Sequence, residues 1–272
     1  MKKVIYVILA LVMFITPLNF GYATAAANET SLEESINALS LNKGNYNYLE
    51  GKLGDTHLIY TYESNGSTYK VIENASEDFD EVYSTIYIKN STGEFVEYAT
   101  QNLTINNSNL IHTTKVSGEE ITEIKDLSFE KSEITNGTPP FNSVMSINGT
   151  CYGQPVGGWA YISRNNGSTV IANYTASAVV AAVTYIASAG AGVAAGAAKA
   201  AISAIAAKVV DSRIPTLYYT QWYHELKLAN PGRGQENFIV GTNHFTDWYD
   251  NSFRTSYINT TDVYTYHACH RF

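Results

Sequence analysis

Groups that could move a proton gather near the C-terminal end: His224-Glu225, His244, Asp247, His267 and His270. General acid–base catalysis would need such groups beside a nucleophile or a polarised water. His244-x-x-Asp247 share a face only on a helix, and their neighbours Phe245, Trp248 and Tyr249 are strand formers. No nucleophile elbow, helical metal-histidine pair or phosphate-cradling glycine loop accompanies them. The expectation is a protein that is not an enzyme, with no catalytic residues. A hydrolase using the tail histidines is the competing class.

Metal chemistry has one candidate, His267, Cys269 and His270, and a structural zinc site needs more ligands at defined spacing. The two cysteines, Cys151 and Cys269, are more simply read as one disulfide in an oxidising compartment. Closing a loop of about 100 residues contributes about 4–5 kcal/mol in the chain-entropy account. The acidic run Glu77-Asp78-Phe79-Asp80-Glu81 lacks the ligand spacing and central glycine of a calcium loop, and reads as a solvated turn. No metal and no cofactor are expected.

The compartment follows from the N-terminus. Met1-Lys2-Lys3 is positive, Val4 to Ile15 is apolar, and Ala23-Thr24-Ala25 is a small-x-small exit, which together describe a secretory signal peptide. The protein is expected to be secreted and extracellular. Between residues 28 and 150 there are 19 acidic and 7 basic residues, a net of −12, against 6 and 8, a net of +2, from 151 onward. That asymmetry divides the chain into a signal peptide (1–25), an acidic α+β module (26–134) that could serve as a pro-region, a linker (135–150) and a second module (151–272). Overall acidity without a basic patch argues against nucleic acid as a partner.

The elements that must position these groups are mostly strands. Ser31-Leu32-Glu33-Glu34 opens a short helix to Leu39 or Leu41. Alternating runs follow at His57–Tyr62, Tyr69–Ile72, Ser84–Ile88, Phe95–Tyr98 and Leu103–Ile105, with hairpin turns at Asn65-Gly66 and Thr92-Gly93. Thr135-Asn136-Gly137-Thr138-Pro139-Pro140 reads as the loop between modules, open to proteolytic cleavage or simply a connection.

After the turn-rich Asn165-Asn166-Gly167-Ser168, the span Thr175 to Val210 is dominated by alanine, the best helix former. Gly190 and Gly192 interrupt it, so a hairpin of two helices competes with one long helix, and Gly192 to Gly196 match G-x-x-x-G. Lys199 and Lys208 fall on opposite sides of an ideal helix, with Ile202, Ile205 and Val209 between them. Two outcomes stay open: a buried hairpin within a globule, or one that inserts into a membrane. The tail from Thr216 is a strand-rich aromatic segment whose Trp222, Tyr223, Trp248 and Tyr249 are candidates for a surface that meets glycan or a water–lipid boundary. The fold class expected is α+β: an N-terminal, mostly antiparallel β module, then an Ala/Gly-rich helical hairpin, then an aromatic antiparallel β segment.

The lysine-led signal peptide, Glu63-x-Asn65-Gly66-x-x-Tyr69-Lys70-Val71-Ile72-Glu73, the Ala/Gly-rich span and the Tyr-rich tail together resemble the large secreted bacteriocin-like proteins of Gram-positive bacilli, of the geobacillin type. The resemblance implies an antibacterial protein that permeabilises the envelope of related bacteria, with a target-cell membrane or envelope component as partner and self-association as a further mode. It carries over no functional residue. A secreted cell-surface module that binds glycan or protein, without membrane activity, is the alternative.

Overall fold

The computed structural model describes residue 39 and residues 44–106, 109–126, 150–151, 154–189, 196–232 and 238–266. The expected signal peptide, the helix expected from Ser31, the loop expected at Thr135–Pro140, Gly190, Gly192, His267, Cys269 and His270 lie outside them.

Seven strands form one antiparallel meander in chain order: β1 (Gly44–Glu50), β2 (His57–Ser64), β3 (Ser67–Ala75), β4 (Glu81–Lys89), β5 (Phe95–Asn106), β6 (Asn109–Val116) and β7 (Glu119–Asp126). Alternation dictates the pairing, because Leu58, Tyr60 and Tyr62 point inward from β2 while Ile59 and Thr61 are only half-buried. Asn65-Gly66 makes the two-residue turn between β2 and β3, with φ of 50° and 78° and Ser64 opposite Ser67. Both central residues are left-handed, the conformation that Asn-Gly adopts at little cost. Asn90 ties the next turn, its Oδ1 accepting from the Thr92 and Glu94 amides and from Thr92 Oγ1. The acidic run Glu77–Glu81 is a turn closed by Ser76 Oγ donating to Asp80 Oδ1 at 2.6 Å.

A second antiparallel sheet has the order β12-β11-β10-β9-β8, with β8 (Thr150–Cys151), β9 (Gln154–Val170), β10 (Thr216–Leu228), β11 (Ile239–Tyr249) and β12 (Tyr257–Tyr266). Two helices, α1 (Ala176–Ser188) and α2 (Gly196–Ser212), lie in the chain between β9 and β10 and pack on each other. The α+β class therefore holds, with strands predominating.

One expectation is corrected here. Asn165-Asn166-Gly167-Ser168 is not a turn before the helices; it is paired backbone inside β9, opposite Tyr218–Gln221 of β10. Ladder pairing overrides the local turn propensity of these residues. Gly167 is needed there for space, since a Cβ would sit 2.2 Å from the Tyr219 ring laid across it.

The helices are the middle of three layers. α1 touches β3 and β4 of the first sheet and β11 and β12 of the second, and α2 lies on α1 and β12. One buried cluster runs through all three layers, from Phe79, Val82 and Leu103, through Val179, Val183, Ile186 and Ile205, to Leu217, Trp248 and Val263. Alanine makes this possible. Face-to-face sheets close-pack over a middle helix only if that helix is slim on every side.

Candidate functional site

The site with the most specific construction is the seat of α1. Of its 13 residues, 12 are buried, Thr184 being the half-buried exception, and none carries a charge. A helix apolar all round has to be covered on all sides, and its unpaired terminal amides and carbonyls then need partners other than water.

At the N-terminal end the partners come from the first sheet. Register aligns Glu73, Ser84, Gln101 and Thr114 across β3, β4, β5 and β6, a buried polar row on a largely apolar inner face. Thr175 occupies the N-cap position without the usual side-chain cap. Glu73, with no exposed surface, takes over: Oε2 accepts from the Ser177 amide at 2.9 Å and from Ser177 Oγ at 2.6 Å. Ser84 Oγ and Tyr60 OH donate to Oε1 at 3.3 and 3.4 Å. Tyr60 OH in turn accepts from the Ala176 amide at 3.2 Å, Ser84 Oγ lies 3.0 Å from Thr175 Oγ1, and Gln101 Nε2 donates to the Asn173 carbonyl at 3.0 Å. A carboxylate at the positive end of a helix is favoured by the helix dipole as well as by the hydrogen bonds.

Around this seat stand stacked tyrosines. Tyr46 and Tyr60 lie 5.5 Å apart, and Tyr62 and Tyr69 are 5.1 Å apart and nearly parallel. Burial raises the Tyr60 and Tyr62 hydroxyls well above the ordinary phenol range, with Glu73 charge adding to the Tyr60 shift. Tyr48, nearer water, is pushed up to about 12 by burial and by Asp211 and Glu73. These groups are neutral hydrogen-bonding partners at ordinary pH.

The second sheet holds the other end of α1. Gln221 Nε2 donates to the Ile186 carbonyl at 2.8 Å and lies 2.9 Å from Thr246 Oγ1. Ala189 turns into the left-handed region to finish the helix.

In α2, Ile202, Ile205 and Val209 form the buried stripe, and Lys199 and Lys208 are exposed on its two flanks. Lys199 lines a cleft with Glu77, Asp78 and Phe79 of the first sheet, which brings the acidic turn over the helix. Gly196 begins α2.

The four aromatic surface candidates divide. Trp248 is corrected: it has no exposed surface, packs 5.6 Å from Tyr219 and donates from Nε1 to Thr261 Oγ1 at 3.0 Å. Strand parity puts it on the face under the helices. Trp222 and Tyr249 point to the opposite face, Trp222 buried among its neighbours and Tyr249 half-buried. Tyr223 is half-buried on the helix side, 5.0 Å from the His244 ring. His224 and His244 lie on opposite faces of the sheet, and Asp247 shares a face with His224, so the tail's acid–base groups do not converge. Among the described residues no cluster of three or more His, Cys, Asp or Glu could hold a metal. Cys151 is buried and is not a free thiol.

Sequence reading missed Glu73, Ser177 and Gln221. A signal was present for Glu73, which shares the inward parity of Tyr69 and Val71 and is therefore a carboxylate on an apolar face. Gln221 offered none, because its partner is a backbone carbonyl 35 residues away.

No family model matches this chain, and no curated protein or solved structure matches it.

Proposed function

We propose that the chain is a secreted antibacterial protein that acts on target-cell membranes, with α1 and α2 as its working part and the acidic first sheet as their cover. The observation that carries this is the seat of α1: a charge-free helix covered on both sides, one cover being a separate acidic sheet that holds it through Glu73. Freeing that sheet would uncover the side of α1 that faces it, where Val180 stands with Ile202 and Lys199 of α2 opposite Phe79. An apolar stripe bordered by lysine is suited to the water–lipid boundary.

No helix among the described residues is long and apolar enough to cross a membrane. With 13 and 17 residues, α1 and α2 extend about 20 and 26 Å, short of the roughly 30 Å hydrocarbon core. The proposed action is therefore insertion into the interface and disordering of the lipid, not a pore of upright helices.

The test is dye leakage from phosphatidylglycerol-containing vesicles, comparing the full chain with chain cut at a protease site engineered between residues 135 and 140. Leakage that rises after cleavage, with killing of related bacilli, is the expected outcome. No leakage and no killing in either form would sink the proposal.

A further inference from the structure

The face of the second sheet turned away from the helices is built unlike the face beneath them. Register sets Arg164, Trp222, Phe245 and Asp262 side by side across β9, β10, β11 and β12. The next row is Tyr161, His224, Asn243 and Tyr264. Neither row holds an aliphatic side chain. At about 4.8 Å between strands, four strands present a strip about 14 Å wide.

Its side chains are fixed by one another. The Arg164 guanidinium sits 5.5 Å over the Trp222 ring, and Trp222 and Phe245 are 5.5 Å apart. Asp262 accepts from Asn243 Nδ2 at 2.5 Å and from Tyr264 OH at 3.0 Å. Tyr161 meets His224 edge to face at 5.8 Å, and Trp159 meets Tyr264 in the same way at 5.3 Å.

This ordered face nevertheless leaves polar atoms unused. His224 is 6% exposed, and its Nδ1 has no hydrogen-bond partner; neither have Tyr161 OH and Arg164 Nε beside it. Each such buried atom costs on the order of 1–3 kcal/mol, so three on two adjacent rows of one face call for a reason. A ligand that supplies donors and acceptors at close spacing is that reason.

We infer that this face binds a neutral pyranose oligosaccharide, Trp159 and Tyr264 meeting the C–H faces of the sugars while Tyr161, Arg164, His224 and Asp262 meet their hydroxyls. A hydroxyl both donates and accepts, which suits a row mixing guanidinium, imidazole, phenol and carboxylate. Aromatic rings with polar neighbours supply the apolar half of the match. Charge argues against an anionic lipid surface or a nucleic acid: the carboxylates of Asp247 and Asp262 lie on this face with Arg164. The inference stands apart from the proposed membrane activity, since it uses neither helix.

The experiment titrates the full chain with the tetrasaccharides of glucose and of N-acetylglucosamine, following tryptophan fluorescence and heat. Retention on insoluble cellulose and chitin is measured in parallel, with phosphatidylglycerol vesicles as the lipid comparison. Saturable binding to one of the sugars is expected, weakened at least tenfold by Tyr264→Ala and by Asp262→Asn and unchanged by Lys199→Ala. Tyr264 is 38% exposed, so its truncation leaves the fold standing, as near-ultraviolet circular dichroism would verify. No binding to either sugar, binding indifferent to both substitutions, or capture by vesicles alone would overturn the inference. Sugar binding without vesicle leakage would leave it intact and remove the membrane proposal instead.

Discussion

Glu73 of the first sheet and Gln221 of the second hold opposite ends of one helix. The Glu73 carboxylate takes the Ser177 amide and hydroxyl at 2.9 and 2.6 Å, and the Gln221 amide gives its proton to the Ile186 carbonyl at 2.8 Å. Charge type follows helix polarity, an anion at the end where amides are exposed and a neutral donor where carbonyls are. Glu73, Tyr60 and Gln221, buried on the inner faces, thus answer to the backbone of α1. They turn an apolar contact that could slide into one with a fixed register.

Glu73→Gln keeps an acceptor for Ser177 but removes the charge, and is expected to cost about 1–2 kcal/mol. Glu73→Ala leaves the Ser177 amide and hydroxyl unpaired inside the layer, at about 3 kcal/mol or more. Gln221→Ala acts at the other end and should cost about 1–2 kcal/mol. Urea denaturation gives these values. Hydrogen exchange adds a sharper check, because Glu73→Gln should speed exchange at Ser177 and Ala178 before it does so in β11. Equal exchange across both sheets would show that Glu73 does not seat the helix.

Alanine within α1 sets the spacing of the layers. Ala182 has no exposed surface and lies in the cluster shared by both sheets. Ala182→Leu should therefore destabilise by about 1–3 kcal/mol through overpacking, although leucine is an acceptable helix former. Ala200→Leu, on the exposed side of α2, should stay within about 0.5 kcal/mol. Thermal denaturation of the two variants separates packing from helix propensity.

Two groups on the outer face of the second sheet give opposite pH dependences. Burial lowers the His224 imidazole below its ordinary value, with Asp262 and Asn243 pulling weakly the other way. The unfolded chain therefore takes up this proton first, and stability falls as pH drops below about 6.5, levelling off once the folded form also protonates. Burial raises the Asp247 carboxyl, while its hydrogen bond from Thr260 lowers it. Its ionisation costs the folded state at neutral pH, and that cost is relieved as pH falls toward about 4. His224→Gln should flatten the melting temperature between pH 7 and 5, and Asp247→Asn should raise it at pH 7. A wild-type curve that rises steadily from pH 7 to 5 would contradict the His224 assignment.

How far the fold was legible depended on the range of the contacts involved. Hairpins such as Asn65-Gly66 and alternation such as Leu58, Tyr60 and Tyr62 are local, and the strands were readable from them. The small-residue composition of α1 was visible too, but its cause was not, since slimness serves lipid packing and sheet packing alike. Asn165–Ser168 misled because the partners that hold them extended, Tyr218–Gln221, lie 50 or more residues on. Trp248 misled because the start of β11 was not marked, and a one-residue shift moves a side chain to the other face. Glu73 carried a legible oddity, a carboxylate at an inward position, without any hint that Ser177 would meet it.

Cys151 provides the last prediction. It has no exposed surface, packs with Val156, Leu226, Leu228 and Val240, and is not a free thiol, while Cys269 lies outside the described residues. The pairing expected from sequence joins the first strand of the second sheet to the chain's last residues. In denaturant without reductant, alkylation should then label no thiol, and after reduction it should label two. Replacing both cysteines by serine should lower stability by about 4–5 kcal/mol in the chain-entropy account, a drop concentrated in unfolding of the second sheet. Two thiols labelled before reduction would refute the bridge and leave Cys151 as a small apolar residue filling the space beside Leu226.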